Sequence, residues 1–201
     1  MEDLFSDTVT ALPVGICRAT LYSNFLSRNY ADNCFKELLI STPWTQETIN
    51  FKGNVHPVPR LTAWYSKTGR DYSYSGILAK AKPYTLLLAS ITEKVETVAN
   101  REFNSVLLNY YRNGNDCVSW HADDEKSLGP SVDIASVSLG VTRDFQLKKK
   151  DKKGKTLTVA LSHGSLLIME APMQALWLHQ MPRRKKVTES RINLTFRFIH
   201  E

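Results

Sequence analysis

The chain has 201 residues, 42% hydrophobic and 23% charged, which suits one domain with a sizeable core and excludes a fibrous or disordered chain. No apolar run approaches the ~20 residues of a membrane helix, and the acidic opening residues 1–7 lack the apolar core of a secretory signal. Three cysteines, Cys17, Cys34 and Cys117, form no CxxC pair and are odd in number. A reducing compartment is therefore expected, cytoplasmic or, in a eukaryote, nuclear. The formal net charge of +6 suits a polyanionic partner, and it suits an ordinary basic protein equally well.

In chain order, the first 28 or so residues are mixed and partly extended. Residues 31–41 are predicted as a helix, with Phe35, Leu38 and Leu39 on one face. Pro83 opens a second helix, in which Tyr84, Leu87, Leu88, Ile91, Val95 and Val98 recur at helical spacing. After Phe103 the period changes to two. Strands are predicted over 106–111, 134–139, 142–147, 156–161, 165–169, 177–181 and 191–199, with turns at the lysine-rich stretch and at Ser162-His163-Gly164. The pattern is mainly β with flanking helices, and a double-sheet jelly roll satisfies it. Two basic clusters interrupt it. Lys148, Lys149, Lys150, Lys152, Lys153 and Lys155 crowd one turn, and Arg183, Arg184, Lys185 and Lys186 form the second. Either can meet phosphates, and either can be an ordinary solvated loop.

His121-Ala122-Asp123 puts two metal-ligating side chains two residues apart. On a strand these share a face and can address one ion. A surface histidine beside the acidic run Asp123-Asp124-Glu125 has the same sequence. Among the remaining histidines, His56 precedes a proline, His163 sits in a turn and His200 is next to the end, so His179, on a predicted strand, is the third ligand by elimination. Two histidines and a carboxylate on one face of an octahedron leave three positions open, the pattern of non-haem Fe(II) oxygenases.

Residues 191–197 alternate without a break. Arg191, Asn193, Thr195 and Arg197 share one face, and Ile192, Leu194, Phe196 and Phe198 the other. On an ordinary two-faced strand the polar face meets water. Asn109 and Tyr111, just before His121, share a face in the same way. Two arginines also suit a dicarboxylate such as 2-oxoglutarate, whose keto-acid end chelates iron. Separated by ~20 Å of strand, Arg191 and Arg197 must approach such a ligand from two ends.

Asn109-x-Tyr111, His121-x-Asp123 with Asp124-Glu125, Ser136-Val137-Ser138-Leu139-Gly140, His163-Gly164, His179 and Arg191-x-Asn193-Leu194-Thr195-Phe196-Arg197 together resemble the AlkB family of nucleic-acid dealkylases. Pro59-Arg60-Leu61-Thr62-Ala63-Trp64-Tyr65 and Tyr72-Ser73-Tyr74-Ser75-Gly76 bring the likeness nearest to its animal members acting on DNA. The likeness runs from about Pro59 to Ile199. It implies a double-stranded β-helix that holds Fe(II) through His121, Asp123 and His179, and uses 2-oxoglutarate and O2. Arg191 and Arg197 would hold the co-substrate, supported by Asn109, Tyr111 and Asn193. Arg191 would take the distal carboxylate, and Arg197 would lie nearer the iron-bound end. Residues 1–50 then form an N-terminal extension with a helix, 51–103 a nucleotide-recognition segment with a helix, and 104–201 the catalytic core, in one compact domain.

The same resemblance implies oxidative demethylation of N1-methyladenine or N3-methylcytosine in DNA. Formaldehyde, succinate and CO2 are released, and the repaired base is restored directly. A base must leave its stack to reach a buried metal, and these cationic lesions favour aromatic walls and nearby carboxylates. Trp64, Tyr65, Tyr72 and Tyr74 are the candidates for the wall, with Tyr74 favoured. Ser75 would touch the same pocket or the gap left by the flipped base, and Asp124 and Glu125 would accept from the exocyclic amine. Trp120 is expected to point away from the metal face, while His121 can stack on the base. In this family a loop at the place of residues 148–155 can grip the opposite strand. The expected partner is methylated DNA, or RNA by the same chemistry, for a monomer with no membrane attachment. The alternatives are a nucleic-acid-binding jelly roll without catalysis and a dioxygenase acting on protein or a small molecule.

Overall fold

In the computed structural model, which describes residues 9–51, 53–74, 76–151 and 154–200, nearly every apolar stripe finds a sheet or helix to cover it. The strands are β1 (Val9–Ala11), β2 (Ala19–Tyr22), β3 (Thr48–Phe51), β4 (Asn54–Pro57), β5 (Leu61–Ser66), β6 (Tyr72–Tyr74), β7 (Ile77–Ala79), β8 (Ser105–Tyr111), β9 (Val118–His121), β10 (Ile134–Gly140), β11 (Arg143–Lys149), β12 (Leu157–Leu161), β13 (Ser165–Met169), β14 (Trp177–Met181) and β15 (Arg191–Arg197). The helices are α1 (Arg28–Ser41), α2 (Leu86–Ala99) and the short α3 (Met173–Leu176). No helix among the described residues is long and apolar enough to cross a membrane.

A seven-stranded sheet, in the order β1-β2-β13-β10-β15-β8-β5, faces a four-stranded sheet, in the order β12-β11-β14-β9. The pairing is antiparallel throughout both sheets. This is the predicted double-sheet jelly roll. Two hairpins, β3–β4 and β6–β7, stand apart from these sheets.

Helix α1 starts three residues before the predicted boundary, because the Ser27 hydroxyl caps it by accepting from the Tyr30 amide at 3.4 Å. Its buried stripe is Ala31, Cys34 and Leu38, with Phe35 and Leu39 half-buried beside it. Pro83 does not open α2. Thr85 does, with its hydroxyl on the Leu88 amide at 3.2 Å, and Asn100 ends the helix in the left-handed conformation.

Both helices lie on one face of the large sheet. Leu88, Ile91 and Val95 of α2 and the stripe of α1 share a core with Val106 and Leu108 of β8 and with Ile192, Leu194 and Phe196 of β15. The opposite face of that sheet meets the small sheet, where Ile134, Leu147, Leu161, Leu167 and Met181 form a second core. The large sheet is thus covered on both sides. The polar face of β15 does not meet water: Arg191 is 1% exposed, Asn193 7%, Thr195 8% and Arg197 4%.

Gly140 sits where β10 passes Arg191 of β15, with φ of 91°. A Cβ there would collide with the Ser190 carbonyl, the Phe35 ring and the Arg191 backbone. Gly140→Ala is expected to cost at least about 2 kcal/mol, from left-handed backbone strain alone. An unchanged urea midpoint would show that the β10–β15 crossing accommodates a side chain.

Candidate metal and co-substrate site

The space between the two sheets narrows to a cavity of about 280 Å³, at the small end of ligand sites. His121, Asp123 and His179 line its middle, each offering one ligand atom, and these atoms all lie within 4.8 Å of one another. The two histidines are register partners across β9 and β14, with ring centres 4.2 Å apart. Asp123 departs from the sequence expectation. Strand β9 ends at His121, so Asp123 follows in coil, and strand alternation does not set its direction. Two contacts hold it instead. Its Oδ1 accepts from Arg197 Nη2 at 2.9 Å, and its amide donates to Gln174 Oε1 at 3.1 Å.

The charge states suit a cation. Burial would push the Asp123 carboxyl up, but Arg197, His179 and His121 outweigh it and hold the pKa down at about 2. Burial, with His121 alongside, lowers His179 to about 3, so its imidazole stays neutral and keeps a lone pair. His121 Nδ1 lies 2.8 Å from the Ser119 carbonyl. A carbonyl only accepts, so that nitrogen carries the proton and Nε2 is left for an ion.

Arg191 also lines the cavity, opposite Tyr111, its register partner on β8, with the guanidinium carbon 5.4 Å from the ring centre. Arg191 Nη2 donates to Ser138 Oγ at 2.9 Å, while its buried Nε and Nη1 have no partner. Burial lowers its pKa to about 10, which still leaves it charged at neutral pH. A buried cation with two unused donors fits a carboxylate, the distal end of 2-oxoglutarate. Asn193 is already engaged. Its Nδ2 donates to Ser136 Oγ at 2.7 Å and to the Val137 carbonyl at 3.0 Å, and its Oδ1 accepts from Thr195. Asn109 lines the cavity and accepts from Arg60 Nε at 2.8 Å.

The expected substrate residues separate. Tyr74 and Glu125 line the cavity, and so does Tyr72. The Tyr72 and Tyr74 hydroxyls and Glu125 Oε2 are buried without partners. Burial, together with the Asp123 charge, pushes the Glu125 carboxyl up. Trp64 does not reach the cavity. It is 1% exposed, stacks behind Tyr72 at 4.5 Å and donates to the Arg70 carbonyl, because β5 is covered on both faces. Asp124 also points elsewhere, to Lys150 Nζ at 2.8 Å. Ser75, like Lys152 and Lys153, lies outside the described residues. Trp120 lines the rim, with Lys148 Nζ 4.2 Å from its ring centre.

Sequence reasoning missed Arg60, Gln174 and Arg143. Arg143 carried a usable signal, since it alternates with Phe145 and Leu147 on the inward face of β11. Arg60 and Gln174 carried none, because short coil and a four-residue helix have no period to violate.

Residues 18–197 match the family model of the 2OG-Fe(II) oxygenase superfamily. Alpha-ketoglutarate-dependent dioxygenase alkB homolog 3 of Homo sapiens is 38% identical over 201 residues, covering 96% of this chain and 70% of that protein. The mouse form is 37% identical with the same coverage. DNA oxidative demethylase ALKBH2 of Homo sapiens is 38% identical over 188 residues, covering 89% of this chain and 72% of that one. The solved structure of OsALKBH1 shares the fold with a TM-score of 0.66 at 20% identity, over 94% of this chain and 99% of that one. A histidine–carboxylate–histidine trio beside an unsatisfied buried arginine is thus found in a chain that belongs to the 2OG-Fe(II) oxygenase superfamily and, within it, to the AlkB-type dioxygenases, which use Fe(II), 2-oxoglutarate and O2.

Proposed function

We propose that this dioxygenase removes methyl groups from N1-methyladenine and N3-methylcytosine in DNA, restoring the base directly. The observation that carries the reading is the lining of one cavity, which brings together a buried arginine with two unused donors, the ligand trio, and two tyrosines with a carboxyl. The name of one relative, a DNA oxidative demethylase, supports the substrate class.

O2, activated at bound iron with 2-oxoglutarate as the two-electron donor, would supply the oxidising power for hydroxylating a methyl carbon on a base nitrogen, with succinate and CO2 as the other products. The hydroxymethyl product then collapses to formaldehyde and the free base. His121, Asp123 and His179 would hold the iron. Arg191 clamps the distal carboxylate, with Tyr111 as its lateral wall and Asn109 and Asn193 along the side. Arg197 fixes Asp123. Tyr72 and Tyr74 flank a flipped base, and Glu125 accepts from its exocyclic amine. Trp64 serves by bracing Tyr72, and Asp124 lies outside the pocket. RNA carrying the same lesions fits the same chemistry, and it is the second arm of the test.

Formaldehyde release from methylated DNA and RNA oligonucleotides, with and without Fe(II), tests this reading. Iron-dependent release from DNA is expected, and it should vanish in His121→Ala and in Asp123→Ala while weak DNA binding persists. Binding without release in the wild type would mean a non-catalytic nucleic-acid protein. The two acidic neighbours make a separate distinction. Glu125→Ala should lower kcat/KM by roughly tenfold or more, the worth of a hydrogen bond to a charged group, with Asp124→Asn within about twofold. Equal losses in the two variants would place both carboxyls on the substrate.

A further inference from the structure

Arg143, at the start of β11, is 1% exposed, yet all three of its hydrogen bonds go to backbone carbonyls. Nη1 donates to Asn113 at 3.2 Å, and Nη2 donates to Asp116 at 3.0 Å and Pro182 at 2.8 Å. Those acceptors lie on two loops, one leaving β8 and one leaving β14. The loops are also tied directly, Gly114 to Val187 and Arg184 to Gly114, and any side chain at Gly114 would run into the Arg184 carbonyl. Arg143 therefore pins the two loops together beside Tyr111, which lines the cavity.

Its charge has no carboxylate in contact among the described residues. The nearby Asp116 is taken by Arg112, at 2.7 Å. The Asp116 charge that acts on Arg143 is shared with Arg112, so the Arg143 cation is only partly offset and its field reaches its neighbours. The neighbour is Tyr111, whose ring centre lies 5.9 Å from the Arg143 guanidinium carbon and 5.4 Å from that of Arg191.

We infer that Arg143 is a positioning residue for the dicarboxylate co-substrate: it sets the Tyr111 wall and supplies a second, only partly offset positive charge that selects a ligand with a distal carboxylate. It does not touch the ligand and does not line the cavity. The inference rests on the assignment of Arg191 to that carboxylate. It also explains why two cations are tolerated so near each other. The site is completed electrostatically by an anion brought from outside.

The test is calorimetric titration of protein loaded with redox-inert Mn(II), using 2-oxoglutarate and its near-isostere 2-oxopentanoate, which lacks the distal carboxylate. The ratio of the two affinities is read within each variant, so an inactive fraction cancels. Arg143→Gln should cut the preference for 2-oxoglutarate by about tenfold, the effect of a unit charge ~10 Å away in a protein interior, with Mn(II) affinity unchanged. Arg143→Lys keeps the charge and should keep the preference to within about threefold. A preference retained in Arg143→Gln, or lost as completely in Arg143→Lys, overturns the inference. If Arg143→Gln binds no Mn(II), the Lys variant decides alone, by keeping or losing the preference. Arg191→Gln separates the two assignments: a preference surviving there removes the site reading itself, whereas one lost there and intact in Arg143→Gln removes only this inference.

Discussion

Arg191 and Arg197 are both buried on the inner face of β15, and a buried guanidinium is tolerated only where something anionic or dipolar answers it. The two are answered differently. Arg197 meets Asp123 in a pair that is nearly sealed from solvent on both sides. Arg191 is satisfied by Ser138 on one nitrogen alone. The first pairs charge with charge inside the protein and leaves only Nε without a partner, whereas the second leaves two donors of an unpaired charge open to a ligand.

The Asp123–Arg197 pair also joins fold to chemistry. Because β9 stops at His121, nothing in the sheet fixes Asp123. The arginine on its carboxylate and Gln174 on its amide take over that task. Breaking a buried ion pair from one side leaves an uncompensated charge, at a cost of roughly 3–5 kcal/mol. Arg197 thus belongs to the stability of the sheet sandwich as much as to the metal site. The carboxylate is kept ionised by the same contacts that aim it.

Adjacent acidic residues have parted ways. Glu125 turns inward beside Tyr72, with an oxygen unpaired, while Asp124 turns outward to Lys150. Lys148 lies over Trp120. The lysine-rich turn is therefore fastened to both sides of the His121–Asp123 segment, and part of its charge is spent within the protein. Composition alone left these lysines either to meet phosphate or to form a solvated loop. The folded chain puts two of them to work as braces for the metal-bearing loop.

Much of this was legible before folding was considered. Period-two alternation located the long strands, and β14 has the predicted bounds, because side chains two apart share a face whatever the rest of the chain does. The order and spacing of the histidines, Asp123 and the β15 arginines pointed to the family. The short strands β1 to β7 and β9 were not legible. Those of three or four residues show too few periods, and β5 is buried on both faces, so it alternates hardly at all. Nor was the fate of the polar side chains. Whether the polar face of β15 meets water or a second sheet, whether Trp64 or Tyr72 faces the cavity, and which of Asp124 and Glu125 turns inward depend on what packs opposite. Such partners lie tens of residues away along the chain, so local pattern identifies the groups available for chemistry, and only tertiary packing decides which are left unsatisfied at the site.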